Sequence, residues 1–179
     1  VFCLFIGFYV HGQDSWEMVK EKDDIKIYTR LNTVMSFKEF KATMEVSGKI
    51  EEFLSVLYDV DGLVEWGYNV NEARLLDRPD DMHQTYYAVA DAPWPYKDRD
   101  GVYSNLFIWN DQNKTLKVEI SLVDSIEGAD RGFVRLDGTG YWEVQQIPGD
   151  KLKIHFQMQI DPGGSIKAWM ANMFVTDSP

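Results

Sequence analysis

The chain has 179 residues, 45% of them hydrophobic and 14% aromatic, which is enough for one domain with a sizeable core and too apolar for a disordered segment. Eighteen Lys and Arg stand against 29 Asp and Glu, a formal net charge of -11. That negative field repels nucleic acid and anionic headgroups at long range and argues against a nucleic-acid partner.

The first ten residues, Val1 to Val10, carry no charge and are too short to span a bilayer. They read as the apolar core of a secretion signal cut ahead of Gln13, so that residues 1–12 are a signal and 13–179 the domain, secreted or periplasmic. The other reading is an N-terminal anchor or a buried strand, with the domain cytoplasmic. Val1 is not an initiator, and the chain reads as truncated. Cys3, the single cysteine, lies in this segment, so a mature chain would hold neither a disulfide nor a thiol nucleophile.

Strand-like alternation follows at 24–31 and 37–46. Ile50, Phe53, Leu54, Leu57 and Tyr58 then recur at helical spacing, with Glu51, Glu52 and Ser55 outside, and predict a helix laid on a sheet. Further strands are predicted at 69–77, 83–90, 101–109, 115–122, 139–147 and 151–160, separated by turn residues such as Asn110–Asn113 and Pro148-Gly149-Asp150. Short turns between successive strands predict an antiparallel meander. Two breaker-rich segments interrupt it. In Asp91 to Asp100, Pro93 and Pro95 flank Trp94 and forbid a central strand, leaving a stiff loop that holds a large aromatic. Asp161-Pro162-Gly163-Gly164 ends a strand and releases the chain into a helix capped by Ser165, whose stripe of Ile166, Trp169, Met170, Met173 and Phe174 either packs on the sheet or closes a cavity. The class is α+β. Six Trp, nine Tyr and ten Phe suit an aromatic-rich core as well as they suit a lined cavity.

Catalytic patterns are sparse. His11, His83 and His155 are scattered, which predicts no metal centre, and no cofactor motif is present: Gly138-Thr139-Gly140 lacks the third glycine and the helix of a phosphate loop. There is no Gly-x-Ser-x-Gly, and the carboxylates read as a solvated acidic face. On the strand at 101–109 either face could be dry; Tyr103, Asn105 and Phe107 are taken as the inward set because they offer wide surfaces and one amide. Arg99 and Arg135 are the cations that could face a cavity. The alternative for both is a structural ion pair with Asp98, Asp100 or Asp137.

The order of early strands, helix, Asp59 to Trp66, long meander, Pro93-Trp94-Pro95 with Asp98-Arg99-Asp100, Gly132-Phe133-Val134-Arg135, Gly140-Tyr141-Trp142 and Asp161-Pro162-Gly163-Gly164 before a terminal helix resembles START domains, the lipid-transfer family related to steroidogenic acute regulatory protein. The resemblance spans roughly residues 15–175. It implies a helix-grip fold, a curved antiparallel sheet wrapped around the C-terminal helix, with one lipid in an internal tunnel gated by the 91–98 loop and that helix. The implied partner is a lipid or another hydrophobic small molecule, with transient membrane contact and no catalysis. The ligand-binding set is then Trp66, Tyr86, Trp94, Arg99, Tyr103, Asn105, Phe107, Arg135, Trp169, Met170 and Met173. Sterol-binding members carry a buried acid–base pair where this chain matches Tyr86 and Asn105, and members usually have a proline near the start of a longer terminal helix, where this chain has Ile166-Lys167. The alternative function is a cyclase or dehydratase of polyketides, which shares the fold; the third is an interaction domain with a filled core.

Overall fold

Period-two alternation becomes a single curved sheet in the structure, a computed structural model that describes residues 15–31, 38–125, 127–128 and 131–164. Its elements in chain order are β1 (Glu17–Lys22), β2 (Ile25–Leu31), β3 (Lys38–Ser47), α1 (Ile50–Tyr58), α2 (Leu63–Trp66), β4 (Val70–Asp77), β5 (His83–Ala90), β6 (Arg99–Asn110), β7 (Thr115–Leu122), β8 (Val134–Arg135), β9 (Asp137–Ile147) and β10 (Lys151–Asp161). The strands lie in the order β1-β2-β3-β10-β9-β7-β6-β5-β4. All pair antiparallel except the two residues of β8, which run parallel to β6.

The expected meander holds from β4 to β7 and breaks at the middle of the sheet, where β10 returns to lie beside β3, from Lys151 opposite Ser47 to Met158 opposite Phe40. The early strand β3 and the last strand β10 thereby share a core, in which Phe40 packs with Met158. Three elements were not predicted. β1 is an edge strand, almost wholly exposed, and needs no apolar face to pair with β2. α2 is one turn and β8 two residues, both too short for a period to register. Arg99 and Asp100, expected in the loop, open β6 instead.

The helix α1 covers one end of the inner face. Its predicted stripe meets Phe107, Leu116, Val118, Val144, Leu152 and Ile154 in the largest core cluster. Glu52 accepts a hydrogen bond from the Lys49 backbone N–H at 2.8 Å, and the Gln146 carboxamide accepts one from Ile50 N–H at 3.2 Å, so two N-terminal donors are satisfied. On the outer face, Tyr87, Val89 and Val102 pack with Leu76 and Phe133. The terminal strand ends in the expected manner: Gly163 and Gly164 both take φ of +63°, a conformation open to glycine, and Gly163 N–H donates to the Asp161 carboxylate at 2.8 Å. Residues 1–12 and the helix expected from Ser165 lie outside the described residues.

Candidate ligand cavity

Away from α1 the described residues do not fill the inner face. A cavity of about 460 Å3 opens there, and strand alternation supplies its wall two residues at a time. Phe40, Ala42 and Met44 come from β3, Ile154, Phe156, Met158 and Ile160 from β10, Trp142 from β9, Ile120 from β7, Tyr103 and Arg99 from β6, and Tyr86, Ala88 and Ala90 from β5. Leu63 and Trp66 of α2 close one side, and Asp91, Ala92 and Pro162 border another. Aromatic contacts stiffen the wall: Trp142 and Phe156 stack at 4.0 Å between centroids, and Phe40 meets Phe156 edge-on at 5.6 Å. At Gly140 an added Cβ would run into the Met158 sulfur, so the missing side chain is what lets Met158 cross the wall.

Tyr86 and Tyr103 face each other in register across β5 and β6 and stack with centroids 5.0 Å apart and planes 6° from parallel. Burial pushes both phenols up, Tyr103 to about 12 with the Asp100 charge adding to the effect. Neither ionises near neutrality. Beyond them, Asn105 lines a recess of about 40 Å3 with Leu57, Leu63, Trp66 and Trp142. Its amide nitrogen donates to Gln84 Oε1 at 3.3 Å, and Gln84 Nε2 donates to the Tyr58 carbonyl at 3.4 Å. That relay fixes the orientation of Asn105 and leaves its buried Oδ1 an acceptor without a donor among the described residues.

The structure separates the two candidate arginines. Arg99 is buried and lines the cavity, with Nε donating to the Pro162 carbonyl at 3.3 Å and Nη1 to that of Lys97. Burial lowers its pKa and the nearby Asp98 charge opposes that. Arg135 sits instead on the opposite side of β6, where Nε and Nη2 each reach an Asp100 oxygen at 3.0 Å. Asp100 also accepts the Tyr87 hydroxyl at 3.0 Å. Arg135 is therefore a structural ion pair, because Asp100 and Arg99 alternate across the pleat.

Two other members of the predicted set do not reach the cavity. Trp94 is 92% exposed, since its loop projects beyond the sheet and no described element covers it. Phe107 shares the face of Tyr103 and Asn105 but lies under α1, 4.9 Å from the Tyr58 ring, where it is core. Trp66, Tyr86, Arg99 and Tyr103 line the main cavity and Asn105 its recess; Trp169, Met170 and Met173 lie outside the described residues. The residue directly opposite Asn105 across the strands is Gln84, with Tyr86 opposite Tyr103, and the matched positions Tyr86 and Asn105 are diagonal neighbours that line the same recess. Neither Gln84 nor Asn105 carries a charge. Sequence reasoning passed over Gln84, and over Phe156 and Met158, although the alternation of 151–160 already put the latter two on one face. His155 stacks on Tyr141 on the outer face, and His83 pairs with Asp80 at the surface.

No protein-family model matches the chain. It is 25% identical over 167 residues to an uncharacterised protein of Pseudomonas aeruginosa, covering 93% of this chain and 82% of that one. Among solved structures it is similar to a STAR-related lipid transfer protein fragment of Xanthomonas axonopodis, with 29% identity, 90% of each chain covered and a TM-score of 0.81. Human StAR-related lipid transfer protein 5 superimposes with a TM-score of 0.75 at 16% identity, over 94% of this chain and 82% of that one. The structural neighbours of this chain over nine-tenths of its length are thus START domains, and its fold is the one they share.

Proposed function

We propose that the chain binds a lipid or similarly hydrophobic molecule in this cavity and carries it unchanged. The observation that carries the reading is the cavity itself, about 460 Å3 walled mainly by aromatic and aliphatic side chains and left open where the sheet could have been packed shut. Each methylene that enters leaves water with a gain of about 0.8 kcal/mol, so an alkyl chain binds such a space without any special residue. The names of the neighbours, lipid transfer proteins, support the same reading. Turnover would need a titratable group poised near neutrality, whereas Tyr86 and Tyr103 are both pushed away from it and His83 and His155 lie elsewhere.

The proposal extends to the gate. In this reading loop 91–98 regulates entry and offers the Trp94 indole to a membrane surface, which is supported by Asp91 and Ala92 bordering the cavity and by the exposure of Trp94. Native mass spectrometry of the purified protein tests the main claim. One retained lipid per chain is expected, and on incubation with lipid and polyketide panels the ligand should be recovered at its original mass. Protein that takes up nothing from either panel, or returns a product of altered mass, would refute the carrier reading.

A further inference from the structure

Arg99 presents a difficulty that the apolar cavity does not resolve. It is 6% exposed, yet both hydrogen bonds it makes go to neutral carbonyl oxygens, and Nη2 bonds to none of the described residues. No carboxylate oxygen of the described residues lies within 4 Å of its guanidinium; the ion pairs of the region go elsewhere. Asp100, next in sequence, points through the pleat to the other side and is taken up by Arg135 and Tyr87. Asp98 accepts from the Ala92 backbone N–H, and Asp91 from the Asn71 amide. A buried guanidinium in such surroundings is costly unless a partner neutralises it.

We infer that the missing partner is the ligand, and that the cavity takes an amphiphile with an oxyanion head, a carboxylate or a phosphate, at the end bordered by Asp91, Ala92 and Pro162, where the Asp91 carboxylate is taken up by Asn71. The inference rests on the cavity being a lipid site and specifies which end of the lipid goes where. Arg99 is already arranged for such a head, because two carbonyls hold its plane where it lines the cavity and little ordering is left to do. A neutral head would leave the guanidinium without a directly bonded anion, Asp98 acting on it only from beyond ion-pair distance, and an ammonium would be repelled by it.

Displacement of Nile red from the cavity provides the test, with hexadecanoate, hexadecyl phosphate and hexadecanol as competitors of equal chain length at pH 7.5. The wild-type protein is expected to prefer each anion over the alcohol by about tenfold or more, the usual worth of a charged hydrogen bond. Arg99→Gln should lose that preference, binding anions and alcohol alike, and Arg99→Lys should keep part of it. Should Arg99→Gln fail to fold, the wild-type ranking decides alone. Equal binding of anions and alcohol by the wild type, or a preference that survives in Arg99→Gln, overturns the inference but leaves the lipid cavity standing. Displacement by inorganic phosphate as effective as by hexadecyl phosphate also overturns it, since the chain would then be irrelevant. If none of the three amphiphiles displaces the dye, the cavity reading itself fails, and this inference with it.

Discussion

Strand β6 begins with two charged residues, and the pleat sends them to opposite sides of the sheet. Arg99 faces the cavity; Asp100 is buried on the outer side between Arg135 and the Tyr87 hydroxyl. Their roles differ accordingly. Asp100→Ala leaves Arg135 and Tyr87 without their acceptor in a desolvated pocket, and such a break costs about 3–5 kcal/mol. For a domain of this size that is roughly 10 °C in melting temperature, measurable by thermal denaturation. A loss under about 1 kcal/mol in urea titration, the range of an exposed ion pair, would show that the pair is dispensable. Tyr103 makes a second prediction at this scale, with a defined sign. Burial and the Asp100 charge hold its phenol up at about 12, whereas in the unfolded chain a tyrosine ionises near 10. The stability it contributes is complete below pH 10 and is lost as pH rises through 10 towards 12. Tyr103→Phe keeps the ring stack on Tyr86 and has no proton to release, so its melting temperature should fall less steeply than that of the wild type between pH 10 and 12. Parallel slopes would contradict the desolvation of the phenol.

Among the elements, α1 shows how a short helix is kept. Nine residues are marginal in water, and what holds them is the stripe of Ile50, Phe53, Leu54 and Leu57 on the sheet together with the satisfied N-terminus. Gln146, 96 residues away, accepts from Ile50 N–H and donates to the carbonyls of Gly48 and Lys151, so one side chain joins the helix start to the β9–β10 turn. Gln146→Ala should lower stability by about 1–2 kcal/mol, the worth of a lost cap, and speed amide exchange at Ile50 before it does so in the strands. The helix itself was legible in the chain because its period of 3.6 is unbroken, and so were the eight longer strands, whose alternation sets the inward face. What could not be read were β1, where Glu and Lys alternate with nothing to bury, and the one-turn α2, whose Leu63 and Trp66 nonetheless close the cavity. The site was legible in part for the same reason. Tyr103 and Asn105 follow from the face of β6, but that Phe107 on the same face is covered by α1 depends on where the helix lands, which no period encodes.

At the scale of the molecule, the cavity exists because β10 joins β3 and bends the two ends of the sheet around a common interior, a long-range pairing that local patterns do not announce. Among the described residues the interior is packed solid where α1 covers it and open where β3, β5, β6 and β10 face one another. On the proposed function a ligand enters past an edge, and Asp91 and Ala92 at the start of the 91–98 loop border the cavity. Trp94 stands at its tip with 92% of its surface in solvent, so the folded state gains almost nothing from the indole. Trp94→Ala should accordingly move the melting temperature by no more than about 1–2 °C, as expected of an exposed position. If the proposed gate operates, the rate at which a fluorescent lipid passes from the protein to neutral vesicles should nevertheless fall severalfold, because the indole proposed to meet the membrane is lost. Charge makes the vesicle composition part of the prediction. A chain of net charge -11 is repelled by anionic lipid, so the contribution of Trp94 should be larger on zwitterionic vesicles and should recover on anionic ones as salt is raised. Unchanged transfer rates in Trp94→Ala on both kinds of vesicle would remove the loop from the gate and leave entry to the other border of the cavity, at Leu63 and Trp66.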